Sequence, residues 1–226
     1  MILNRYSEIE EYFNNTINDC EKCDDYITKK IIIFALIDSL AQETYNKHTH
    51  INSTIQKGNK DIFCDFLLNY VHSINYLTRI DPIIAYYDNK KLLDENEINL
   101  EYLEDSYEYT ATQICNLDGS QRILEFLTNN GIDIEKYKYI NLLYKHRSKL
   151  VHEYREVGNS FRSLQNYTEI KYLSNGDENV KWKMTIPYIF LKEMFKESLA
   201  NFLRERKSAN EDPFQYSKDY WNWYEK

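Results

Sequence analysis

Three observations predict a mainly α-helical chain with one β-hairpin inserted before its last long helix. Glycine and proline are scarce, five and three in 226 residues, so helices can run long with few breaks. Apolar residues recur at spacings of three and four along most of the sequence. Only two short segments near the C-terminus alternate instead. Residues 1–210 read as a single helical domain with the hairpin at about 167–186, followed by an aromatic C-terminal tail over 211–226.

The elements follow in order. Ser7, with Glu10 three residues on, has the form of a capping box and predicts a first helix running into the Cys20–Cys23 region. A second helix takes in Lys29 to Tyr45; its centre, Ile31 to Ile37, is apolar all round and should be deeply buried. Residues 48–59 are polar, carry Gly58 and read as a loop. A third helix spans about Lys60 to Leu77. Asp81-Pro82 is an N-cap followed by proline at the first helical position, which starts a short helix to Tyr87. The stretch 88–99 is charged and reads as exposed, and an acidic helix is expected near Leu100 to Thr110. Asp118 or Ser120 caps the next helix, which stops at Asn129-Asn130-Gly131. Another helix is expected from about Ile134 to Val157. Tyr167 to Leu173 and Val180 to Ile186 alternate around Ser174-Asn175-Gly176-Asp177, a hairpin pattern. Pro187 then opens a final helix to about Arg206, and the tail from Pro213 carries Phe214, Tyr216, Tyr220, Trp221, Trp223 and Tyr224.

Hydrophobic content is 42 % and aromatic content 15 %, with 21 tyrosines. Tyrosine buries a large ring while keeping a polar tip, so a tyrosine-rich core follows. The net charge of −8 argues against a protein that coats nucleic acid, and against a helical DNA-binding protein. The charge is local, however. From Lys136 to Arg155 there are six basic side chains against Glu153 alone, a net +5 before histidines are counted. A basic patch on an acidic body can receive one phosphate or a short piece of strand.

Cys20 and Cys23 form one Cys-x-x-Cys, with Cys64 and Cys115 apart from it. Without a second pair, these read as reduced thiols rather than a zinc site. His48-x-His50 sits in a polar loop with no adjacent acidic or cysteine ligand, and His72 reads as a partly buried helical residue. No glycine-rich phosphate loop, Gly-x-Ser-x-Gly or His-Glu-x-x-His occurs. No metal and no cofactor are called for. Met1 to Arg5 is not followed by a long apolar stretch, and the Ile31–Ile37 run is too short to span a bilayer. A cytoplasmic protein with no membrane partner is expected.

Residues 144 to 155 read Tyr-Lys-His-Arg-Ser-Lys-Leu-Val-His-Glu-Tyr-Arg. Arg147 is followed by four residues and then His152, with Tyr154 two further on. An always-charged guanidinium and an imidazole that titrates near neutrality supply what phosphodiester cleavage needs: a fixed cation for the growing phosphate charge and a proton shuttle. At 100° per residue, Ile140, Leu143, Arg147, Leu150 and Tyr154 fall on one stripe, so Arg147 occupies a place the apolar pattern assigns to leucine. Five residues apart, Arg147 and His152 diverge by about 140° around a straight helix. Either the helix begins or kinks between them, or two copies of the motif meet across a two-fold axis.

The pattern resembles the HEPN superfamily, mostly helical domains whose ribonuclease signature is Arg-x(4–6)-His, and is similar to the Arg-x4-His-x-Tyr form of HEPN toxins. The resemblance rests on about a dozen residues and leaves the hairpin and tail uncovered. It implies a HEPN-like helical bundle, a homodimer, and metal-independent endoribonuclease activity on RNA. In such enzymes the RNA 2′-hydroxyl attacks the adjacent phosphate, leaving a 2′,3′-cyclic phosphate and a 5′-hydroxyl. Carried over, His152 is the general acid or base and Arg147 the transition-state cation. Ser148 stands where the family usually has a polar residue, often asparagine, in support. Lys145, Lys149 and Arg155 would contact flanking RNA phosphates. Tyr154 occupies the place of a tyrosine that a nucleotidyltransferase partner adenylylates in toxin–antitoxin members, so an antitoxin of that kind is one implied partner. A larger phage-defence or stress protein is equally compatible with the chain length. The competing reading is a non-catalytic HEPN-like binding or scaffold protein, in which the aromatic tail and acidic surface recruit a partner; a purely structural reading of Arg147 pairs it with a buried carboxylate such as Asp38.

Overall fold

The computed structural model describes residues 2–45, 58–103, 106–154, 165–174 and 181–214. The chain is mainly helical, with a small three-stranded antiparallel sheet. The chain divides into two compact units, Met1–His72 with Leu191–Lys226, and Ser73–Phe190.

In the first unit, α1 (Ile2–Glu21), α2 (Tyr26–Thr44), α3 (Asn59–Tyr70) and most of α9 (Tyr188–Ser208) enclose an aromatic core. Helix α1 begins at Ile2, so Ser7 lies inside it rather than at its N-cap. Asp25, rather than a residue near Lys29, starts α2: its carboxylate accepts the Ile27 and Thr28 N–H groups at 3.3 and 2.8 Å. Ile33, Phe34 and Ile37 of the apolar run in α2 are wholly buried, as is Leu40 beyond it, whereas Ala35 within the run is exposed, so the helix is not buried on every side. Phe34 packs on Phe63, Phe13 on Phe195, and Phe66 and Tyr70 on Phe202, with centroids 5.6–6.4 Å apart. Helix α3 ends at Tyr70, seven residues before the expected stop. Side chains of α9 satisfy the backbone groups freed there: Asn201 donates to the Tyr70 carbonyl at 2.8 Å, and the His72 N–H donates to Glu197 at 2.8 Å. The start of the tail returns to α1: Asp212 pairs with Arg5, and Phe214 lies 6.0 Å from Phe13. Residues 215–226, which carry most of the tail aromatics, lie outside the described residues.

The second unit holds α4 (Pro82–Asp88), α5 (Lys90–Asp94), α6 (Ala111–Cys115), α7 (Asp118–Asn129) and α8 (Tyr139–Glu153). Its sheet comprises β1 (Glu108–Thr110), β2 (Lys171–Ser174) and β3 (Trp182–Thr185), in that order. Asp81 caps α4 with Pro82 at its start, accepting the Ile83 and Ile84 N–H groups at 2.9 and 3.1 Å. Ala85, Tyr86, Ile123, Leu127 and Tyr137 form one core cluster. The charged stretch 88–99 is not wholly exposed: it contains α5, and Leu93 and Ile98 join that cluster. Helix α7 starts at Asp118 after Leu117, without a side-chain cap, and stops as expected, with Gly131 at φ +72°.

The expected hairpin is present as β2 and β3, paired antiparallel with Lys171 opposite Thr185 and Ser174 opposite Trp182. The intervening 175–180 lie outside the described residues. A third strand was not expected. Where an acidic helix was predicted over 100–110, a 3₁₀ turn at Glu101–Leu103 leads instead to β1 on β2. Thr110 then caps α6 in a capping box with Gln113. Glu108 lies opposite Leu173 and its carboxylate meets Lys171 at 2.5 Å. Pairing with a strand more than sixty residues away overrides the local helical spacing.

Candidate functional site

Helix α8 carries the Arg-x4-His motif. It is entered by a 3₁₀ turn at Glu135–Tyr137 and begins at Tyr139, later than Ile134. Its first N–H groups are occupied by the preceding chain: Tyr139 donates to the Arg79 carbonyl and Ile140 to that of Leu77, both at 3.0 Å. Tyr139 anchors this end. Its hydroxyl lies 2.8 Å from that of Tyr172 on β2, which lies 2.5 Å from Asp81 Oδ2. All three side chains are fully buried. Burial pushes the Asp81 carboxyl up to about 6, against the opposing pull of the Tyr172 hydroxyl and two backbone N–H groups. Burial, and then the nearby Asp81 charge, push both phenols well above their usual range.

The inward face of α8 is Tyr139, Ile140, Leu142, Leu143, His146 and Leu150. The predicted stripe is therefore corrected by one position. His146, 1 % exposed, fills the seam that was assigned to Arg147. Arg147 lies beside the seam, half-buried, with its guanidinium 5.8 Å from the Tyr144 ring centroid. Tyr154 is not in the seam either; it is 59 % exposed. Its backbone is left-handed, at φ 48° and ψ 37°, and ends the helix with its N–H on the Leu150 carbonyl at 3.1 Å. The helix thus stops at Glu153, short of the expected Val157.

Ser148 and Lys149 are half-buried, while Lys145 and His152 are exposed. Arg155 lies outside the described residues. No break separates Arg147 from His152, since α8 is continuous from Tyr139 to Glu153. The two side chains leave one straight rod about 140° apart in direction and about 7.5 Å apart along its axis. A single copy of this helix does not aim both at one phosphate.

Outside this helix, Cys20, Cys64 and Cys115 are buried and Cys23 is half-buried, all as free thiols. Cys20 Sγ faces the Lys29 carbonyl at 3.7 Å, and burial pushes the Cys64 thiol up to about 11. His48 and His50 lie outside the described residues. Among the described residues, no helix is long and apolar enough to cross a membrane.

His146 was legible in the sequence, because 139, 142/143, 146 and 150 keep helical spacing as well as the stripe through Arg147 does. The buried Asp81–Tyr172–Tyr139 set was legible only as an N-cap, because its members lie 33 to 91 residues apart. Compared with protein-family models, curated proteins and solved structures, the chain matches none of them.

Proposed function

We propose that the chain is a metal-independent endoribonuclease of HEPN type whose active site is shared between two copies across a two-fold axis. The observation that carries this reading is the unbroken α8, which holds an exposed His152 and a half-buried Arg147 on different faces of one rod. An isologous pairing of α8 with its twin brings Arg147 of one protomer toward His152 of the other, which one copy does not achieve by itself.

In that site His152 takes the proton of the RNA 2′-hydroxyl as its oxygen attacks the adjacent phosphorus, or returns a proton to the departing 5′-oxygen. Arg147 holds the charge that builds on the non-bridging oxygens. The products are a 2′,3′-cyclic phosphate and a 5′-hydroxyl, and DNA, which lacks the nucleophile, is not cut. Ser148 supports the arginine, and Lys145, Lys149 and Arg155 take neighbouring phosphates. Tyr154, 59 % exposed at the end of the helix, is the residue a nucleotidyltransferase antitoxin would adenylylate. An added anion there obstructs a phosphate-receiving surface.

The non-catalytic reading draws on one observation, the placement of Arg147 over the Tyr144 ring, which gives the arginine a structural occupation. Cleavage of RNA in EDTA separates the two. Wild-type protein should cut, and His152→Ala and Arg147→Ala should each be inactive. Mixing the two inactive variants should restore about a quarter of the wild-type rate, because half the dimers are mixed and each then has one complete site. Cleavage that persists in His152→Ala would overturn the proposal, and failure of the mixture to regain activity would overturn the shared site.

A further inference from the structure

A cavity lies at the other end of α8 from His152. It has a volume of about 610 Å³ and is formed by four segments of the second unit, around residues 78–82, 115–124, 135 and 138. That volume falls within the range of small-molecule sites. From Lys138, the N-cap of α8, to His152 in its last turn is fourteen residues, or about 21 Å along the helix. The cavity is therefore separate from the Arg147–His152 surface and does not rest on the ribonuclease reading.

Its charge runs against that of the whole chain, which carries −8. Arg79 is held by Asn116, whose Oδ1 accepts from the guanidinium at 2.8 Å. No carboxylate of the described residues pairs with it. An arginine fixed by a neutral amide keeps its planar fork and its full charge available. The second cation, Lys138, pairs with Glu135, and its side chain is 31 % exposed. Two cations facing one space suit a phosphate dianion, which offers three strong acceptor oxygens and can replace Glu135 on Lys138. A monocarboxylate would neutralise only one of the two charges. Ile80 and Leu124 provide an apolar wall, and the Gln121 amide, which donates to the Cys115 carbonyl at 3.4 Å, lies within reach of a polar edge.

We propose that this cavity binds a small organic phosphate of nucleotide size, with Arg79 and Lys138 on the phosphate and Ile80 and Leu124 against the body of the ligand. Because the cationic groups come from separate segments, no contiguous motif announces them.

Calorimetric titration of the full chain with adenosine and uridine 5′-monophosphates, the two nucleosides and inorganic phosphate tests this. At least one nucleotide should bind with Kd below about 1 mM, and the nucleosides and inorganic phosphate at least about tenfold more weakly. Arg79→Gln and Lys138→Gln should each weaken nucleotide binding about tenfold. Glu135→Gln should tighten it, because it frees Lys138 and removes a negative charge; a merely structural role of the cluster does not produce that gain. His152→Ala should leave binding unchanged, which keeps this result independent of the nuclease test. No binding by either nucleotide would overturn the proposal, as would Glu135→Gln that weakens or leaves binding unaltered. Inorganic phosphate binding as tightly as the nucleotides would overturn the nucleotide-sized ligand.

Discussion

Asp81 places an ionisable carboxyl where water does not reach, and the stability of the second unit should depend on its proton. The group is fully buried, caps α4 and meets the Tyr172 hydroxyl at 2.5 Å. Burial raises it from its ordinary 3.8 to about 6. A carboxyl raised on folding contributes stability that is fully present below the unfolded value and is lost as pH climbs through the folded one. Between pH 3.8 and about 6 the unfolded chain releases this proton while the folded chain retains it. A displacement of that size corresponds to about 3 kcal/mol. Asp81→Asn removes the titration while keeping a side-chain oxygen for the Ile83 and Ile84 N–H groups, and its amide imitates the protonated acid toward Tyr172. Stability measured by urea denaturation should be similar for the two proteins near pH 4. The variant should then gain on the wild type as pH rises, by up to about 3 kcal/mol at pH 7. A difference that stays flat with pH, or a variant that loses ground as pH rises, would refute the reasoning.

Two further predictions concern backbone and packing in the same unit. A Cβ added at Gly119 would lie 2.3 Å from the Tyr102 ring, whose hydroxyl contacts the buried Ser120 at 3.2 Å. Gly119→Ala should therefore lose about 1–2 kcal/mol in chemical denaturation, because displacing a packed ring outweighs the better helix propensity of alanine; unchanged stability would contradict that packing. Tyr154 holds a left-handed backbone with its side chain 59 % exposed. Tyr154→Gly should raise stability by up to about 1 kcal/mol, and a clear loss in the denaturation midpoint would show that its side chain matters more than its backbone.

Local chemistry was readable wherever the deciding neighbours lie close in sequence. Asp81-Pro82 announced the start of α4, since a cap needs only the next three residues. Asn129-Asn130-Gly131 marked the end of α7, where Gly131 takes a positive φ. Pro187 placed the start of α9, and alternation placed β2 and β3. The basic Arg-x4-His segment was likewise visible, as was the angular conflict within it. Where the signal was only a spacing, it left two answers: residues 139–154 fit a stripe through His146 or one through Arg147, and packing chose His146.

What the sequence determined by itself was therefore the helical class, the cap of α4, the stop of α7, the strand pair and the presence of a guanidinium and an imidazole five residues apart on one helix. The tertiary structure alone decided that β1 joins the sheet, that α3 ends at Tyr70 where α9 side chains take over its backbone groups, and that Asp81 is sealed against Tyr172. It also assembled Arg79, Asn116 and Lys138 around one cavity. The physical reason is the same in each case. Caps and turns are fixed by bonds that span a few residues, whereas burial, strand pairing and the gathering of charge depend on groups from distant segments, whose meeting no local pattern encodes.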